Sequence, residues 1–212
     1  MSEQQFVRST APTLAGLKTG SLFPFRYTSR KQAVRELRDY NRQLTPKGLR
    51  LLPLRMDDRF ALLYLYRPGR LGEDLRAEGA AAILRKAGYP DCDETACLAE
   101  LRRRLTEQAD FPHEIGLFLG YPPEDVRAFM EHRNEGCKCV GCWRVYGDEE
   151  TARRKFDQYE RCTDSYLNHV ANGCTLAKLT VSVQYPVISR RFIAEKSVLS
   201  TQKGTDFSLR SK

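Results

Sequence analysis

The most informative stretch for the fold is LRLLPLRMDDRFALLYLYR, residues 49–67. Its two ends, 49–55 and 60–67, are rich in leucine and tyrosine, and the turn-like tetrapeptide MDDR separates them. This pattern predicts a β-hairpin over about 49–67. The second strand, FALLYLY, is apolar at consecutive positions, so we expect both of its faces to be buried beneath helices.

Apolar residues recur every three or four positions on both sides of the hairpin, which predicts helices there. The first begins after Ser29, a good capping residue, and ends before Pro46. Further helices are predicted over 72–87, 94–108, 112–119, from 122 or 123 onward, and 149–170. Residues 11–25 suggest a short helix or turn and then a loop, and 134–147 suggest a loop. Alternation over about 176–184 predicts one more strand. The predicted fold class is therefore α+β, a mostly helical single domain packed around a small antiparallel sheet.

Length and composition narrow the class of protein. The 212 residues suffice for one domain, predicted at 1–181, followed by a basic extension at 182–212. With 41% hydrophobic and 29% charged residues, the chain resembles neither a disordered nor a fibrous protein. The longest apolar run is Phe60–Tyr66, far below the roughly 20 residues that span a bilayer, and the N-terminus lacks a signal-peptide pattern. We expect a cytoplasmic protein with no membrane segment.

The net charge of +8 is unevenly distributed. Residues 1–75 carry 14 basic and 7 acidic side chains, residues 76–150 carry 10 and 15, and residues 151–212 carry 11 and 5. Basic ends favour nucleic acid or an acidic protein as partner, although a solvated basic face would give the same pattern.

Four of the seven cysteines form a candidate metal site. Cys137, Cys139 and Cys142 are closely spaced in a glycine-containing loop, and Cys162 follows on the predicted long helix. Three close thiolates and one distant thiolate suit tetrahedral zinc or an iron–sulfur cluster. The alternative is that these thiols fill apolar space, since free cysteine is often buried. The favoured hypothesis is a metal-binding or redox-linked accessory protein.

His113 and Glu114 are candidate catalytic residues. If Phe111 caps the helix over 112–119, His113 lies in its first turn, where the helix dipole opposes protonation of the imidazole. A neutral imidazole suits a general base. Glu114 would take the third helical position, where a carboxylate can instead cap backbone N–H groups, so a purely structural role for both residues stays open.

Thr13 and Lys18 are two further candidates. The small residues from Thr13 to Thr19 predict a helix start whose N–H groups could face an anion, with Lys18 in support. Close packing of Ala15 and Gly16 against the sheet is the alternative. A pocket that combined these residues with His113 and Glu114 would favour an enzyme.

Three stretches resemble one bacterial family. They are APTLAGLKTG at 11–20, FPHEIGLFLGYP at 111–122 and WRVYGD at 143–148. Together they are similar to the domain of unknown function 3793 family, over about residues 10–181. No activity is assigned to that family. The resemblance implies a context of iron-uptake and flavodoxin genes, and hence an acidic redox protein such as a flavodoxin as partner.

The family resemblance also bears on the enzyme hypothesis. Members often carry cysteine directly before Ala-Pro-Thr, where this chain has Thr10. The resemblance thus implies, as an alternative to metal binding, an acyl-transfer or hydrolase type of enzyme in which position 10 supplied the nucleophile. A basic module that binds nucleic acid or an acidic protein is the third hypothesis.

Overall fold

The α+β prediction is confirmed. The structure, a computed structural model, describes residues 1–90, 93–108, 110–133 and 135–182. Its helices are α1 (Glu3–Leu14), α2 (Arg30–Leu44), α3 (Pro68–Arg76), α4 (Glu78–Lys86), α5 (Glu94–Glu107), α6 (Ile115–Phe118), α7 (Pro123–His132), α8 (Glu149–Ala171) and α9 (Leu176–Leu179). Its strands are β1 (Gly20–Arg26), β2 (Arg50–Met56), β3 (Phe60–Tyr66), β4 (Cys139–Val140) and β5 (Arg144–Val145).

The predicted hairpin is confirmed as β2 and β3. Arg50 pairs with Tyr66 and Met56 with Ala61, with one irregularity after Pro53. A third strand, β1, pairs antiparallel with the other side of β3, so the strand order is β1-β3-β2. β3 is therefore the central strand.

Both faces of β3 are buried, as its apolar run predicts. Tyr64 and Tyr66 face an apolar core built with α3 to α7. Ala61, Leu63 and Leu65 face a second core that includes α1, α2 and α9. Alternate side chains of one strand thus take part in two cores, one on each face of the sheet.

Sequence reasoning missed β1. Gly20 and Pro24 suggested a loop, but β1 is an edge strand, where a proline without an N–H group is tolerated. Pro53 lies in β2, which is the other edge strand. In β1 the buried side chains of Phe23 and Phe25 alternate with the exposed Pro24 and Arg26.

The predicted C-terminal strand is wrong for its first four residues, which form α9. Leu176 and Leu179 are both buried, and their spacing of three places them on one helical face against the second core. The last two residues of that predicted strand lie outside the described residues. So does the extension, apart from Ser182.

The predicted helix start at Thr13 is also wrong. α1 begins at Glu3, with Ser2 as its cap, and ends at Leu14. Thr13 therefore lies at a helix C-terminus, which presents carbonyl oxygens and not N–H groups. The backbone oxygens of Thr13 and Leu14 accept hydrogen bonds from the buried Arg67, at 2.9 and 2.8 Å. The backbone groups that Thr13 and Leu14 present here have the opposite polarity to those that the predicted anion site requires.

The remaining helix predictions differ from the observed helices mainly in detail. The helices after Ser29, over 94–108 and over 149–170 are confirmed as α2, α5 and α8. The helix predicted over 72–87 is two helices, since the extended backbone of Ala77 separates α3 from α4. The loop predicted over 134–147 contains the small hairpin of β4 and β5. No helix in the described ranges is both long enough and apolar enough to cross a bilayer.

Candidate functional site

Asp125 holds the β4–β5 hairpin against α7. Its carboxylate accepts hydrogen bonds from the indole Nε1 of Trp143 and from the backbone N–H groups of Tyr146 and Gly147, each at 2.8 Å. The residue is only 3% exposed. Three donors satisfy a buried carboxylate that would otherwise be costly, so Asp125 fixes where Trp143 lies.

Trp143 is packed between two aromatic rings. Tyr121 stacks on it with centroids 5.0 Å apart, and Phe156 of α8 meets it edge-on at 4.5 Å. The hairpin turn can approach Phe156 closely because residue 141 is glycine; a Cβ there would lie 2.3 Å from the Phe156 ring. The indole is thereby held in one orientation.

A cavity of about 330 Å³ opens beside Trp143. We call it the aromatic pocket and define it by six of its lining residues: Phe111, His113, Tyr121, Phe129, Trp143 and Arg144. The His113 ring meets Phe129 edge-on at 5.0 Å. Phe111 is 48% exposed, which leaves an apolar surface at the pocket. The volume and the aromatic walls, with few polar groups, are typical of small-molecule sites.

His113 supplies one polar group of this pocket. Burial lowers the pKa of His113, and the nearby charge of Arg133 lowers it further, whereas Glu114 and Asp110 oppose the shift. The sequence predicted the direction of this pKa shift correctly but not its cause. His113 precedes α6 and is not in its first turn, so burial and Arg133 replace the expected helix dipole. The imidazole is mainly neutral near pH 7 and can donate or accept a hydrogen bond.

Lys18 and Cys142 both contact Tyr121. The Lys18 Nζ atom is 5.1 Å from the centroid of the Tyr121 ring, and the Tyr121 hydroxyl donates to the Cys142 carbonyl oxygen at 2.9 Å. Burial lowers the Lys18 pKa to about 8, while the charge of Cys142 opposes the shift. Partial burial of the thiol raises the Cys142 pKa, and Lys18 opposes this. The structure thus brings together two side chains that the sequence suggested for different sites.

Glu114 and Thr13 are both held elsewhere. Glu114 is the N-cap residue of α6, but its side chain caps no N–H group, so the capping prediction is wrong. Its Oε1 atom accepts hydrogen bonds from the Tyr89 hydroxyl at 2.9 Å and from Arg104 at 3.1 Å. The Thr13 hydroxyl is 2.8 Å from that of Ser21. Of the four candidate catalytic residues, only His113 is among those that line the aromatic pocket.

The candidate metal ligands do not all lie in one place, since three are at the β4–β5 hairpin and Cys162 is at the second core. The Cys137 thiol donates to the Cys139 carbonyl oxygen at 3.2 Å, and Cys139 packs near Trp143 in a small third cluster. Cys162 packs against the second core instead. Within the described ranges, no three His, Cys, Asp or Glu side chains are grouped so that they could hold a metal ion. A zinc or iron–sulfur site on these cysteines stays a prediction.

A match to a family model covers residues 6–180 of the chain. The family is described as protein of unknown function (DUF3793). The chain belongs to this family. No curated protein and no solved structure matches it.

Two of the three DUF3793-like stretches meet at the aromatic pocket. The 111–122 stretch supplies Phe111, His113 and Tyr121, and the 143–148 stretch supplies Trp143 and Arg144. Sequence reasoning singled out His113 but missed the aromatic residues and Arg144 as a site. The available signal was that the only tryptophan of the chain lies in one of these stretches.

A second cavity of about 350 Å³ adjoins the aromatic pocket through shared lining residues. It shares Tyr121, Asp125 and Trp143 with the aromatic pocket and adds Asp74 and Lys155. Asp74 accepts a short hydrogen bond from the Thr19 hydroxyl, and burial raises its pKa. The two cavities differ in character, since the second has more charged residues in its lining.

Proposed function

We propose that this protein binds a planar aromatic small molecule with an acidic group, and that the aromatic pocket is the binding site. The observation that carries the proposal is the combination of aromatic walls, one cation and one neutral imidazole around a cavity of about 330 Å³. An aromatic ring system buried there would gain apolar contact and ring stacking.

The polar groups of the pocket indicate the charge of the ligand. Arg144 can bind a carboxylate, sulfonate or phosphate through two parallel N–H donors. Asp125 also lines the pocket, but its carboxylate already accepts three hydrogen bonds from the hairpin. Arg144 is therefore the charged group best able to select the ligand, and His113 can add a hydrogen bond.

Binding is favoured over acyl transfer because no evident nucleophile is among the described residues that line the pocket. Thr10, at the position where the family often has cysteine, is fully buried, and its hydroxyl donates to the Phe6 carbonyl oxygen at 2.7 Å. Lys18 contacts the Tyr121 ring but is not among the lining residues. Nucleophilic catalysis requires the nucleophile and its base within hydrogen-bond reach of each other.

Trp143 makes the proposal directly testable. It is the only tryptophan, so its fluorescence reports on this pocket without interference from other indoles. We expect naphthoate, a planar carboxylate, to change the Trp143 emission in a saturable way, and naphthalene methanol, its uncharged analogue, to bind more weakly. Arg144→Gln should weaken naphthoate binding about tenfold, or about 1.4 kcal/mol, and leave the analogue unaffected.

The matched control is Arg153→Gln, which removes an exposed arginine of α8 that pairs with Glu149. It should leave both affinities unchanged. Failure of naphthoate to perturb Trp143 would contradict the proposed ligand class. Equal weakening by the two arginine variants would show that Arg144 acts only through the general positive charge.

A further inference from the structure

One exposed face of α2 is strongly basic. Lys31, Arg35, Arg38 and Arg42 are separated by four, three and four residues, and all are exposed. At 3.6 residues per turn they fall within an arc of about 60° and form a line about 16 Å long. We call these four residues the basic stripe.

The acidic residues of α2 do little to neutralise this stripe. Glu36 binds the N-terminal ammonium group at 2.8 Å, and Asp39 pairs with Arg42 at 2.9 Å. Within the part of the chain that the structure describes, Arg42 is the only member of the stripe with an ion pair. Three cations in a row therefore face solvent.

The stripe lacks what a protein partner usually requires. Binding energy at protein–protein interfaces comes mainly from apolar and aromatic anchors, and charged residues are depleted at the interface core. The exposed large hydrophobic residues in the described ranges are Phe111, Met130, Val140 and Val181, and none lies on α2. A regularly charged polymer, bound through its charge alone, fits this surface better than a protein partner does.

We propose that the basic stripe of α2 binds nucleic acid through the phosphate backbone, without reading base sequence. The charge of a nucleic acid is regularly spaced and dense, so successive phosphates can meet successive cations of a rigid helix. The energy comes from release of condensed counterions, and binding weakens steeply as salt increases. The stripe lies on a different element from the aromatic pocket, and this proposal does not depend on the proposed ligand.

The test measures fluorescence anisotropy of a labelled duplex of about 20 base pairs with the full chain, between about 50 and 200 mM salt. The variant is Lys31→Gln/Arg35→Gln/Arg38→Gln. Each phosphate contact contributes about 0.9 to the slope of log K against log salt, so the slope should fall by about 2.7 and the affinity by at least about tenfold. Two unrelated duplex sequences should bind equally.

The matched control is Arg153→Gln/Arg154→Gln/Lys178→Gln, which removes one lysine and two arginines that are exposed elsewhere. It should reduce the slope much less. Equal losses in the two triple variants would overturn the proposal, since net charge alone would then explain binding. Tighter binding to flavodoxin, as an acidic protein, or to phosphatidylserine vesicles than to the duplex would also overturn it. Circular dichroism checks that both variants are folded.

Discussion

Lys18 illustrates, at the scale of a single residue, how position changes chemistry. Burial disfavours its ammonium form and lowers its pKa from 10.5 to about 8. The chain around it is unremarkable in charge and spacing. Its neighbours Tyr121 and Cys142 are more than 100 residues away in sequence. No local pattern could have predicted this contact.

A pH-dependent stability effect follows from this shift. The folded state binds the Lys18 proton less tightly than the unfolded state, so burial of the ammonium group destabilises the fold below pH 8. This penalty disappears as the pH rises from about 8 to about 10.5. Lys18→Met should therefore raise the free energy of unfolding by about 1 kcal/mol at pH 7, after allowance for solvent screening, and by less at pH 10.

Urea denaturation at the two pH values measures the difference, with Lys178→Met as the control for an exposed lysine. A gain from Lys18→Met that is the same at both pH values would contradict the lowered pKa.

The sequence predicted functional residues unevenly. His113 was found because a histidine–glutamate pair after proline is a recognisable pattern, and its lowered pKa has the predicted direction. The partners of Glu114 were not predictable, since Tyr89 and Arg104 reach it from other elements. The role of Asp125 in holding the β4–β5 hairpin was not predictable either, since Trp143, Tyr146 and Gly147 reach it from another segment.

At the scale of elements, the β4–β5 hairpin is the most constrained part of the candidate site. Its two strands have only two residues each, so backbone pairing alone would not hold it. Side-chain contacts hold it instead, through the Asp125 hydrogen bonds and the edge-on contact of Trp143 with Phe156.

Gly141→Ala tests the packing of this hairpin on α8. A Cβ at 2.3 Å from the Phe156 ring must displace the ring or the hairpin. Trp143 also contacts the Phe156 ring and restricts its movement. We expect a loss of about 1–3 kcal/mol of stability and a changed Trp143 emission.

The smaller side chain of Phe156→Leu should reduce this cost, so the double variant provides a coupling energy. Independent effects of the two substitutions in thermal unfolding would show that the clash is relieved elsewhere.

At the scale of the whole molecule, β3 joins two cores. Leu63 contributes to one core and Leu101 of α5 to the other, and both are fully buried. Because alternate residues of one central strand belong to both cores, neither core can lose its contacts to β3 while the other keeps them. Unfolding of the described part of the chain should therefore be cooperative.

Leu63→Ala and Leu101→Ala should each cost about 3 kcal/mol, in the range for buried leucine. In urea, the midpoints from far-ultraviolet circular dichroism and from Trp143 fluorescence should shift together in both variants. Separate midpoints in either variant would show that the cluster around Trp143 unfolds independently of the rest, and would contradict cooperative unfolding.

The sequence by itself determined the elements whose pattern is local. A two-strand hairpin, burial of both faces of its second strand, and the helices α2, α5 and α8 follow from periodicity and turn residues, and the start of α2 follows from its Ser29 cap. These signals act over a few residues. Tertiary structure decided whether Pro24 lies in a loop or on an edge strand, and whether residues 176–179 form a strand or a helix. It also decided that Lys18 meets Cys142 and that two distant stretches enclose one aromatic pocket. Those outcomes depend on contacts between segments far apart in the chain, whose energies no short window of sequence contains.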